Sequence, residues 1–167
     1  MAECVIIPVG QLRLSRLQYL CVDAIFGNDN VLTMKQQKII IADGSLFFRE
    51  GLKNVLLNIG NTEIVGEVEN GKQLLNLLAD QGADIVFLDV VMPEMDGFEA
   101  TWMGHHLYPG TRFIAFSSFD EPQYIDKMIH AGVSGFLTKS TNNYDVLKDI
   151  VQGDRQKFYN SPGLQYP

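Results

Sequence analysis

The chain has 167 residues, 46% of them hydrophobic, and a formal net charge of −7 at pH 7. That length suits one domain with an appendage and a core that is stable without disulfides or metals. The acidic balance argues against nonspecific nucleic-acid binding, because phosphates attract a surplus of Lys and Arg. Two cysteines, Cys4 and Cys21, precede the region that reads as folded, so they offer no disulfide framework or structural zinc site and fit a reducing, cytoplasmic setting.

Residues 1–34 mix apolar and polar side chains without a sustained period. The apolar patch Val5-Ile6-Ile7-Pro8-Val9 follows Glu3 where a signal peptide carries positive charge, and no stretch approaches the roughly 20 apolar residues that span a bilayer. A partial amphipathic helix runs through Leu12, Leu17 and Leu20, and the breaker cluster Phe26-Gly27-Asn28-Asp29-Asn30 closes the segment. It reads either as a weakly ordered N-terminal extension or as a mis-called leader, with Met34 as the natural start.

From residue 38 onward, strand-like and helix-like segments alternate. Apolar runs at 38–42, 63–67, 84–89, 112–116 and 134–137 predict strands; helical spacing occupies 46–59, 70–80, 97–108, 121–131 and 142–152, with Leu52, Val55, Leu56 and Ile59 on one helix face. Five such units predict an α/β domain over 35–152, a doubly wound five-stranded parallel sheet with helices on both faces and right-handed crossovers. Winding in the order 2-1-3-4-5 brings the C-terminal ends of strands one, three and four to the switch point where such sheets bind ligands. Asp43, Asp89 and Ser117 meet there, and Lys139, just past strand five, reaches in from the side.

Asp89 closes the run Asp84-Ile85-Val86-Phe87-Leu88-Asp89 and opens the turn Val90-Val91-Met92-Pro93-Glu94-Met95-Asp96-Gly97. A carboxylate attacking a phosphoryl group needs a divalent cation, a positive charge on the phosphoryl oxygens and a hydrogen-bond donor to fix the product. Asp43, Asp89 and the backbone carbonyl of Val91 offer oxygen ligands for Mg2+, which accepts a few carboxylates together with carbonyls and waters. Lys139 offers the charge and Ser117 the hydroxyl.

Four motifs carry a resemblance: Ile39-Ile40-Ile41-Ala42-Asp43-Gly44, Asp89 through Gly97, Phe116-Ser117-Ser118 and Gly135-Phe136-Leu137-Thr138-Lys139. In their order and spacing, residues 38 to about 152 resemble a response-regulator receiver domain (CheY-like) of flavodoxin-like fold. The resemblance implies a two-component phosphorelay with a histidine kinase as partner, Asp89 as phosphoacceptor, Asp43 as acidic-pocket residue, Lys139 as phosphate-binding lysine, Ser117 as switch hydroxyl and Phe136 as the aromatic that changes rotamer. Leu46-Phe47-Phe48-Arg49-Glu50-Gly51-Leu52 and Tyr159-Asn160-Ser161-Pro162 are similar to receivers followed by a LuxR-type helix-turn-helix. Residues 153–167 then resemble a linker to a DNA-binding domain absent from this chain, so DNA contact through that domain, regulation of transcription and homodimerisation are the implied outputs.

One position departs from the family. Receivers usually carry two adjacent acids after the first strand, the second being the direct metal ligand, and here that place holds Gly44. Mg2+ binding is therefore expected to be weak, which leaves open a rival: a degenerate receiver working as a phosphorylation-independent protein-interaction module.

Each residue also has a plainer reading. Asp43 could cap the helix beginning near Leu46, Ser117 could belong to ordinary turn chemistry, Lys139 to the solvated surface and Phe136 to the core. His105, His106 and His130 lack partners at metal-ligand spacing and read as structural, while Met92 and Met95 read as loop fillers. An enzyme acting on a separate substrate is disfavoured, because aspartyl phosphatases commonly place a second Asp where Val91 stands and no glycine-rich phosphate cradle follows the first strand.

Overall fold

The computed structural model describes residues 36–153 and 157–164. The readings made for residues 1–34 lie outside the described residues.

Strand β1 (Gln37–Ala42) shows how a continuous apolar run serves two cores. Successive side chains of a strand point to opposite faces, so Ile39 and Ile41 enter one cluster while Ile40 and Ala42 enter the other. The same division repeats in β3 (Ile85–Leu88), β4 (Arg112–Ser117) and β5 (Gly135–Thr138). Helices α1 (Leu46–Ile59) and α5 (Tyr144–Gln152) cover the Ile39 face through Leu52, Leu56, Ile59, Leu147, Ile150 and Val151. Residues of α2 (Gly71–Gln81), α3 (Gly97–Leu107) and α4 (Pro122–Ala131) cover the other, with Leu74, Leu78, Ala100, Ile125 and Met128 in its core. Phe87, Phe113 and Phe136 are fully enclosed, and each such ring contributes about 1.5–3 kcal/mol by leaving water.

With β2 (Thr62–Val68) and a short β6 (Tyr159–Asn160), the sheet runs in the order β2-β1-β3-β4-β5-β6, every neighbouring pair parallel. The winding 2-1-3-4-5 stands as expected, and a sixth strand is added at the β5 edge. Element bounds follow the sequence reading closely: α1 occupies the expected 46–59, while α5 starts at Tyr144 rather than at 142 because Asn143 is drawn into the preceding loop.

The starts of α1, α2 and α3 are set by short polar side chains. Ser45, Asn70 and Asp96 accept the backbone N–H of Phe48, Gln73 and Glu99 and thereby satisfy one of the free amides of the first turn. Gly97, at the start of α3, is dictated by space: a Cβ there would lie 2.1 Å from the Asp89 carbonyl oxygen. The chain folds back on itself at this point, with the Gly97 N–H donating to the Val90 carbonyl at 2.9 Å, and the Asp89 loop takes its shape from that closure.

Candidate functional site

Three strand ends build the site. Asp43 follows β1, Asp89 follows β3, and Lys139 follows β5, whose register sets Thr138 beside Ser117 of β4. The Asp89 N–H donates to the Ala42 carbonyl at 2.8 Å and the Lys139 N–H to the Ser117 carbonyl at 2.7 Å, so backbone pairing continues past the strands and holds all of these residues at one edge.

The two carboxylates have matching roles. Each offers one oxygen to the backbone amide two residues on: Asp43 Oδ1 accepts from Ser45 at 2.8 Å and Asp89 Oδ1 from Val91 at 3.3 Å, the local geometry that Asp favours in turns. The other oxygen of each faces the lysine. Lys139 Nζ donates to Asp43 Oδ2 at 2.5 Å and to Asp89 Oδ2 at 2.7 Å. Asp43 is nearly enclosed, and the Asp89 side chain retains 14% of its exposure. A single ammonium thus bridges two carboxylates, and such charge-assisted bonds are stronger than neutral ones.

Two residues of the Leu46-Phe47-Phe48-Arg49-Glu50-Gly51-Leu52 motif hold this pair in place. The Phe48 ring lies 4.3 Å from Lys139 Nζ and packs at 5.0 Å against Phe116, so the ammonium sits against an aromatic face as well as the carboxylates. Arg49, buried at 7% exposure, donates from Nη1 to the Asp43 carbonyl at 2.6 Å and approaches the Glu69 carboxylate at 3.6 Å. Asp43 itself does not cap α1; Ser45 does, and Asp43 stands just ahead of it.

The remaining candidates flank the pair. Ser117 is fully buried at the end of β4, its hydroxyl accepting from the Phe119 N–H at 3.0 Å. Phe136 is enclosed in the core opposite Ala115. Val91 is half exposed, Leu46 at the start of α1 is exposed, and its neighbour Phe47 is exposed at 90%. Among the described residues no cluster of three or more His, Cys, Asp or Glu suits a metal ion. At Gly44 there is room for a side chain: a Cβ would meet only the Pro93 Cδ at 3.7 Å and the Glu69 carbonyl oxygen at 4.0 Å.

A pair of strand-end carboxylates on one lysine, in a sheet wound 2-1-3-4-5, can be compared with known proteins. The sequence profile of the response regulator receiver domain matches residues 39–151. The chain belongs to the response regulator receiver family. The receiver is 31% identical over 129 residues to the transcriptional regulatory protein DegU of Brevibacillus brevis, a match covering 75% of this chain and 54% of DegU. It is 28% identical over 127 residues to a probable transcriptional regulatory protein NarL of Mycobacterium tuberculosis, covering 76% and 59%. The receiver therefore spans little more than half the length of these relatives. Among solved structures, the signal receiver domain of the putative response regulator NarL from Mycobacterium tuberculosis superposes with a TM-score of 0.66 at 28% identity, over 71% of this chain and 95% of that one. A LuxR-family two-component response regulator from Aurantimonas superposes at 0.72 with 23% identity, covering 77% and 92%, and shows the shared fold. The receiver is thus a module of two-component response regulators, related to transcriptional regulators. No helix among the described residues is long and apolar enough to cross a membrane.

Proposed function

We propose that this receiver accepts a phosphoryl group on Asp89 from a histidine kinase and converts the new charge into a change of a protein-interaction surface. The observation that carries this reading is the shared ammonium. Lys139 Nζ already touches the Asp89 oxygen that faces it, so a phosphoryl group on that carboxylate arrives beside a fixed positive charge. In the transfer, a carboxylate oxygen of Asp89 attacks phosphorus while the bond from phosphorus to the donor atom breaks, and the electron pair leaves with the donor. The product is an acyl phosphate.

The donor set fits a hard cation. Asp43 and Asp89 would hold Mg2+ with the Val91 carbonyl, the remaining positions being filled by water, as this ion prefers; when bound it neutralises phosphoryl oxygens. Lys139 then shifts from bridging carboxylates to meeting the transferred group. Ser117 keeps a hydroxyl proton for that group, since its oxygen serves as an acceptor for Phe119. Movement of Ser117 lets Phe136, one strand over, change rotamer and bias the surface of α4, β5 and α5 between two states. Leu46 and Phe47 at the start of α1 and Val91 two residues past Asp89 are exposed apolar side chains that a partner could cover. Output by homodimerisation, and by DNA binding through an effector domain outside this chain, accords with the relatives' description as transcriptional regulators.

Gly44 favours a second reading. Two carboxylates half compensated by one lysine, with no third acid at Gly44, attract a cation weakly, and a receiver with that defect would signal by protein contacts alone. Intact-mass measurement after treatment with a small phosphodonor, with and without magnesium, separates the two. Magnesium-dependent gain of one phosphoryl group supports acceptance, and an unchanged mass at millimolar magnesium supports the degenerate module.

A further inference from the structure

Residues 157–164 lie beyond the part of the chain that the family profile matches, yet they are fastened to the loop that carries Lys139. β6 extends the sheet at the β5 edge, pairing Tyr159 with Gly135 and Asn160 with Phe136. Past it, Ser161 is almost wholly buried. Its hydroxyl accepts the Thr138 N–H at 2.8 Å and donates to Asn143 Oδ1 at 2.7 Å, while Asn143 Nδ2 donates to the Thr138 carbonyl at 2.7 Å and the Thr141 carbonyl at 3.1 Å. Asn143 occupies the N-cap of α5 but makes no side-chain capping bond, because its amide is committed to this ring. Both backbone groups of Thr138, the residue before Lys139, are thereby held by polar side chains, one of them from the C-terminal segment.

The fit is close elsewhere along the segment. A Cβ on Gly135 would lie 2.7 Å from the Tyr159 carbonyl, so the β5 edge accepts this strand only because glycine stands there. Tyr159 is buried, its hydroxyl 3.3 Å from the Asp149 carbonyl of α5, and Leu164 packs against the core on the α2–α4 side.

We propose that Ser161 is a positioning residue for Lys139: by gripping Thr138 directly and through Asn143, it fixes the backbone from which the ammonium reaches Asp43 and Asp89. Seating of segment 157–164 and occupation of Asp89 by a phosphoryl group are then coupled, and by linkage the coupling is reciprocal. This rests on Asp89 being the acceptor. It gives the β5 edge a role in signalling, since whatever follows the segment is tied to the loop that senses the phosphoryl group.

The test uses the full chain with beryllofluoride as the phosphoryl mimic. Loss of one buried hydrogen bond predicts that Ser161→Ala weakens beryllofluoride binding about three- to tenfold, while Mg2+ affinity measured alone does not fall, because a loosened Lys139 competes less with the cation for Asp43 and Asp89. Gly135→Ala unseats the same segment from a different strand and is expected to give the same split, which keeps the question answerable if one variant fails to fold. Conversely, beryllofluoride should slow hydrogen exchange at the Tyr159 and Ser161 amides, which donate to the Ser134 and Phe136 carbonyls. Unchanged beryllofluoride affinity in both variants, or an equal loss of Mg2+ affinity, overturns the positioning role and leaves the acceptor assignment standing. A parent chain that binds no beryllofluoride in magnesium overturns both.

Discussion

Gly44→Asp probes the departure that sets this receiver apart. The new side chain enters without moving the backbone, since its Cβ would make only ordinary contacts with the Pro93 Cδ at 3.7 Å and the Glu69 carbonyl at 4.0 Å. Without metal it adds a charge to two carboxylates that share one lysine; a like charge about 6 Å away in a half-solvated setting costs about 1 kcal/mol. With magnesium the sign reverses. Residues that merely orient metal ligands are worth about 10- to 100-fold in affinity, so a direct carboxylate is expected to give about 30-fold or more. At saturating metal that becomes about 2 kcal/mol of additional magnesium-dependent stabilisation, or a rise of about 5–10 °C for a domain of this size. Thermal unfolding followed by circular dichroism through a magnesium titration reads both effects: the variant should melt below the parent without metal and above it at high metal. Parallel curves for the two proteins would refute the idea that Gly44 leaves a ligand missing.

Other perturbations test the surroundings of the pair. Lys139→Ala leaves two carboxylates facing each other in a largely enclosed site; discounted for the 13–14% exposure of Lys139 and Asp89, the loss is expected near 2–3 kcal/mol in urea denaturation, and a stability equal to the parent's would show that the bridge contributes nothing. Phe48→Leu removes the ring from Lys139 and from Phe116, a cost of about 1–2 kcal/mol by the same assay, with slower phosphodonor labelling because the ammonium loses its backing. In Gly97→Ala the Cβ meets the Asp89 carbonyl, so the acceptor loop must shift; a cost of about 2–3 kcal/mol is expected, along with reduced labelling, and full labelling would mean that the loop does not hold Asp89 in place.

The central strands were legible in the sequence because a run buried on both faces has no polar position to confuse it, as in Ile85-Val86-Phe87-Leu88. Helix α1 was legible through its apolar spacing, but its cap was not: Asp43 was the candidate, and Ser45 makes the bond. β6 was not, since two residues carry no period and Tyr159-Asn160 becomes a strand only by finding the β5 edge. In the site, Asp43, Asp89 and Lys139 could be placed from strand ends and order alone. Phe48 and Arg49 could not: a half-buried aromatic and a charged residue in a first helical turn look like packing and surface until the fold brings Lys139 beneath one and turns the Asp43 carbonyl toward the other. Ser161 was visible only as part of a linker-like motif, because its partners Thr138 and Asn143 lie 23 and 18 residues away.

The claim that Asp89 takes up phosphorus is tested most directly by intact mass of the parent and Asp89→Asn after exposure to a small phosphodonor in magnesium. Gain of one phosphoryl group by the parent and none by the variant is the predicted result. Equal labelling of both, or a parent that stays unlabelled while its fold is intact, would contradict it.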